Sequence, residues 1–124
     1  MTHMSSFLTA LMFTVTTTFA WAHGDFQPQH GGVVQTASDL QFELVNSDSG
    51  VVLYVMDHGK PKPAQGASGK LTILSKGKKT EVPLAVSGGN ALKAAVEKLP
   101  SGSKVVAALT WSNRQFVTVR FLIK

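Results

Sequence analysis

The chain has 124 residues, an apolar fraction of 44%, no cysteine, and a formal charge of +5 from 12 basic and 7 acidic residues. That length has room for one domain, and the apolar fraction is ordinary for a globular core. Without cysteine there is no disulfide, no lipidated amino-terminal Cys, no thiolate metal site and no thiol nucleophile. Chemistry falls to His, Asp, Glu, Met and the backbone.

From Phe7 to Ala20 the run FLTALMFTVTTTFA is uncharged and mostly apolar, and Ala20-Trp21-Ala22 follows as a small-x-small cleavage pattern. The run is shorter than the roughly 20 apolar residues that a membrane span needs, and threonines dilute it. It predicts a cleavable secretory signal peptide over residues 1–22, although MTHMSS supplies no positive flank. Export to the periplasm follows, with no stable membrane insertion after cleavage. Every Lys, Arg, Asp and Glu lies beyond residue 22, so the mature chain keeps the basic balance. In an exported protein that balance points away from nucleic acid, and no aromatic and basic alternation revives it. Lys76, Lys78 and Lys79 surround Gly77 and read as solvated turn residues.

Residues 23–31, HGDFQPQHG, are expected to be a flexible amino-terminal segment, and residues 32–124 a folded domain with the grammar of strands. Gly32 to Thr36 is the first. Leu40, Phe42 and Leu44 alternate with Gln41 and Glu43, a strand with one buried face. Asn46 to Gly50 turns the chain into Val51 to Met56, an apolar, β-branched run suited to cover on both sides. Asp57-His58-Gly59-Lys60-Pro61 is a strong breaker, and residues 61–69 read as a loop crossing between sheets.

Leu71 to Ser75 and Thr80 to Val86 flank Lys76-Gly77-Lys78 as a hairpin. Val105, Ala107, Leu109 and Trp111 share a face, and Ser112 to Gln115 leads into the alternation of Val117, Val119, Phe121 and Ile123. Ala91 to Leu99 contains good helix formers, but Leu92, Ala94 and Val96 alternate, and its flanking Gly and Pro space it like its neighbours; it reads as strand. Short strands at such regular spacing predict an all-β fold, an Ig-like antiparallel β-sandwich of about seven strands.

With HGGVV, FELV and LYVMDHGKPKPAQGASGKLTIL in place, a resemblance can be stated. An export signal, a mature amino-terminal His, an Ig-like strand set and no cysteine resemble the periplasmic copper-resistance proteins of the CopC type. Residues 53–74 are similar to the central hairpin and crossover of YtkA-like exported domains. HGGVV followed by FELV and LYVMDHGKP resembles a stretch of the periplasmic adaptor subunits of heavy-metal efflux pumps. The resemblance implies a copper-binding protein, with a component of a heavy-metal efflux system as partner. The chain departs from the CopC type in lacking a Met-rich segment, since Met56 is the one methionine beyond residue 22.

The residues themselves support nitrogen and oxygen ligation, for which Cu(II) is the first choice and Zn(II) the second. Cleavage after Ala22 would make His23 the first residue, and its α-amine and ring Nδ1 could close a chelate. Asp57 and His58 offer a carboxylate and an imidazole from a turn, and His30 a third ring. In a simple meander His30 and His58 fall at opposite ends of strands roughly 20 Å long. Residues 23–30 can span some 20 to 25 Å, so a single site would combine His23, Asp57 and His58, with His30 optional. The bland readings are a flexible lead-in at His30-Gly31-Gly32, turn chemistry at Asp57-His58-Gly59 and core packing for Met56. No GxSxG elbow or nucleophile-and-base set indicates an enzyme. The competing class is a metal-free Ig-like interaction module of the cell envelope.

Overall fold

A computed structural model describes residues 26–124. The expected signal peptide over residues 1–22 and the proposed ligand His23 lie outside the described residues. The domain is all-β and antiparallel, as the alternation predicts. Its strands are β1 (Val33–Ala37), β2 (Leu40–Ser47), β3 (Gly50–Asp57), β4 (Lys60–Pro61), β5 (Ser68–Ser75), β6 (Lys78–Gly88), β7 (Ala91–Ala94), β8 (Lys104–Thr110) and β9 (Phe116–Leu122). Eight of these nine overlap segments read as strands, one more than the approximate total of seven; β4, only two residues long, does not stand out from the breaker that contains it.

One continuous path of paired strands, β1-β2-β3-β7-β6-β5-β8-β9, curls until β1 and β9 run side by side, sandwich-like and nearly barrel-shaped. Strands β1, β2 and β3 form the expected meander, with Val33 opposite Leu44 and Leu40 opposite Asp57. The segment after β4 crosses to β5, and β5, β6 and β7 return to β3 as successive hairpins. Strand β8 then lies beside β5, which makes β5 to β8 a Greek key.

Tight turns fix these registers. Ser38-Asp39, His58-Gly59 and Lys76-Gly77 each place both central residues at positive φ, from 49° to 82°. That is the mirror-image turn whose twist suits a two-residue hairpin. The inward faces carry Phe42 and Leu44, Val51 and Leu53, Leu71, Leu92, Val105 and Leu109, all buried in one core with Trp111 and Phe121. The run in β3 is covered unequally: Val51, Leu53 and Val55 point into the core, while Val52 and Tyr54 are half-buried on the outer face. Ala91–Ala94 is strand, but residues 95–100 leave the sheet. Asn46 explains the departure, since its Nδ2 donates to Leu99 O (2.9 Å) and its Oδ1 accepts from Leu99 N (2.8 Å), pinning Leu99 to the end of β2.

Candidate metal centre

In a strand with one buried face, position 43 of β2 belongs to the solvent side. Glu43 does lie on the outer face, opposite Tyr54 of β3, yet it is only 1% exposed. The chain before β1 folds back over it. Glu43 Oε1 accepts from Gln29 N (2.9 Å), and Oε2 accepts from His30 N (2.8 Å) and Gly32 N (2.8 Å). The His30 ring completes the set, with Nδ1 3.0 Å from Oε1. Each carboxylate oxygen therefore has two partners. Residues 29–32 form a strap held by one side chain, where composition alone suggests a flexible segment.

Two glycines let the strap lie so close. Gly31 turns the chain at φ +70°. At Gly32 a Cβ would stand 2.4 Å from Leu44 O and 2.9 Å from Glu43 Cγ, so only a residue without one fits.

Burial alone would raise the Glu43 pKa, because it penalises the charged form. The hydrogen bonds from Gly32 N, the His30 ring, Gln29 N and His30 N outweigh it and hold the carboxyl below its ordinary value of 4.5. Glu43 is thus an ionised acceptor at neutral pH. Between the two tautomers of a neutral His30 ring, an ionised acceptor facing Nδ1 favours the one that carries its proton there and leaves the Nε2 lone pair uncommitted. The ring stacks on Tyr54 with centroids 3.8 Å apart and planes within 1°. Even so, 44% of the His30 side chain is exposed.

Asp57 and His58 behave differently. His58 has φ +49° as the first central residue of the β3–β4 turn, its side chain is 81% exposed, and its Nδ1 lies 2.5 Å from Asp57 Oδ1. This is a local pair between chain neighbours in water. Tyr54, beneath His30, is three residues before the end of β3 at Asp57, roughly 10 Å at 3.3 Å per residue, and His58 follows in the turn. His30 is engaged with Glu43 and Tyr54, and His58 with Asp57; no contact joins the two histidines. Among the described residues no group of three or more His, Asp and Glu could hold a metal. Met56 is buried as expected, its thioether 3.5 Å from Asn90 Nδ2.

Sequence reading did not single out Glu43 or Tyr54. The signal lay in the three quoted motifs, since HGG supplies His30, FELV supplies Glu43 and LYVM supplies Tyr54. The fold and this arrangement define a class: a small all-β domain bearing an imidazole oriented by a buried carboxylate. No protein-family model, curated protein or solved structure matches this chain.

Proposed function

We propose that the protein binds a transition metal in the cell envelope, Cu(II) before Zn(II), with His30 Nε2 as its oriented ligand, and buffers the ion or passes it to an export system. The observation that carries this reading is the Glu43-His30-Tyr54 arrangement. Metal-ligating histidines donate their second ring N–H to a carboxylate, which fixes the tautomer and raises ligand basicity. Glu43 has no vacant lone pair pointing outward, because both oxygens already accept two hydrogen bonds. It would orient the ligand rather than bind the ion. One imidazole does not complete a site, and the remaining nitrogen and oxygen donors would come from the segment that begins at His23, seven residues upstream. The export assignment and the efflux partner rest on the signal-like leader and the motif resemblance.

This reading shifts weight from the Asp57 and His58 turn to His30. Replacing His30 with Ala should weaken Cu(II) binding by at least the roughly tenfold that loss of a ligand's orienting partner costs, whereas His58→Ala should leave it within about twofold. Competitive titration against a chelator, followed by the visible absorption band, measures both. Equal affinity in wild type and His30→Ala would end the proposal. The competing reading, a metal-free interaction module, draws on the half-exposed Leu74 and Leu122 and expects no Cu(II) binding above a histidine-free control.

A further inference from the structure

A groove of about 590 Å³ lies on the outer face of β5, β8 and β9, with Lys79 of β6 and Gln35 of the neighbouring β1 also lining it. Strand register builds it. Lys79, Leu74, Lys104 and Leu122 stand opposite one another as one cross-strand row, and Thr72, Val106 and Arg120 as the next. Leucines therefore sit between cations.

Leu74 is 45% exposed and Leu122 53% exposed, both at positions that alternation gives to solvent. Leaving aliphatic surface wet costs roughly 25 cal/mol per Å², and these two leucines line the same concavity. Lysine and arginine stems can shield such surface, but that accounts for the stems and not for the charge. Lys79, Lys104 and Arg120 all line the groove, and among the described residues no carboxylate does. The acid on the same face, Glu81 opposite Thr72, is already paired with Lys70 at 3.4 Å.

An occupant that satisfies both features has an aliphatic body and an anionic head. We propose that the groove binds an anionic single-chain amphiphile, an alkyl carboxylate or phosphate, as a discrete molecule. The volume falls within the roughly 300–1,000 Å³ of small-ligand sites, and the vesicle arm of the test below separates a discrete molecule from a bilayer. The alkyl chain covers Leu74, Val106 and Leu122, and the head pairs with Lys104 and Arg120, which stand on the adjacent strands β8 and β9. The inference is independent of the metal reading, since none of these residues belongs to the strap.

Isothermal titration calorimetry of the full-length protein with laurate below its micellar concentration tests it. Saturable one-to-one binding is expected, weakened at least tenfold by Lys104→Gln with Arg120→Gln, and likewise by Leu74→Gln with Leu122→Gln. These side chains lie outside the core, so unchanged circular dichroism should accompany the loss. His30→Ala should bind laurate like wild type, which keeps failure of the metal reading separate from failure of this one. Three outcomes would overturn the proposal: laurate affinity unchanged in both double variants, equal binding of dodecyltrimethylammonium or acetate, or binding of phosphatidylglycerol vesicles without binding of monomeric laurate.

Discussion

Glu43→Gln is expected to lower stability by about 3 kcal/mol and to release residues 29–32 from the sheet. The substitution keeps the shape of the side chain but replaces one charged oxygen with an NH2 group. In the wild type both oxygens face donors: Gln29 N and the His30 ring at Oε1, His30 N and Gly32 N at Oε2. Whichever way the amide turns, its NH2 group meets a backbone donor, and the remaining bonds lose charge assistance. Hydrogen bonds to charged groups contribute about 1.5–3 kcal/mol each, and a buried donor left unpaired costs about 1–3 kcal/mol. These terms overlap rather than add. Urea unfolding measures the loss, and amide exchange at Gln29, His30 and Gly32 locates it. A change below about 1 kcal/mol with protection intact at those amides would mean the strap is held by something other than this carboxylate. Because Glu43 also orients the imidazole, Cu(II) affinity should fall by about 10- to 100-fold, the range for losing such a partner.

The same clamp should respond to acid. The folded pKa of Glu43 lies below its ordinary value of 4.5, so folding favours the ionised form. Stability from that preference is complete above the unfolded pKa and is lost as pH falls through the depressed folded value. The strap therefore holds at neutral pH and loosens below about pH 4.5. Wild type and Glu43→Gln should differ most at neutral pH and converge toward acid. Parallel stability curves across that window would show that Glu43 ionisation does not couple to folding.

Period-2 patterning carried most of the fold, because in a sheet the alternation of Leu40, Phe42 and Leu44 or of Val117, Val119 and Phe121 is set by local backbone geometry. Strand order was less legible. Alternation says which face is buried but not which strand lies alongside, so the return of β8 to β5 had to come from the three-dimensional structure. Glu43 shows the limit most clearly. Its parity marks it as solvent-facing, and its burial comes from backbone 11 to 14 residues upstream folding back over the sheet. No window along β2 contains that information.

His58 illustrates a different limit. DHGKP was conspicuous as a motif, yet His58 occupies the same backbone conformation as Ser38 and Lys76 in the other tight turns. The turn asks for positive φ and tolerates any of these side chains at some cost. Leu74 lay inside an apolar run whose total hydrophobicity concealed that one member faces outward.

Gly31→Ala and Gly32→Ala should separate two reasons for a glycine pair. Position 31 has φ +70° and nothing within 4 Å of the place a methyl would take, so Ala there meets only the left-handed backbone penalty, about 1–2 kcal/mol. Position 32 offers no room: its Cβ would approach Leu44 O to 2.4 Å and Glu43 Cγ to 2.9 Å. Leu44 belongs to the paired body of β2, opposite both Val33 and Leu53, so it cannot retreat without straining two ladders. The strap must lift instead, and its bonds to Glu43 go with it. Overpacking of this kind costs about 1–3 kcal/mol, and loss of the clamp should bring Gly32→Ala to about 3 kcal/mol by urea unfolding. Its Cu(II) affinity should drop like that of Glu43→Gln, while Gly31→Ala keeps near wild-type affinity. If both alanine variants bind Cu(II) like wild type, His30 is not held for the metal by close approach of the strap, and the ion must be taken up elsewhere in the chain.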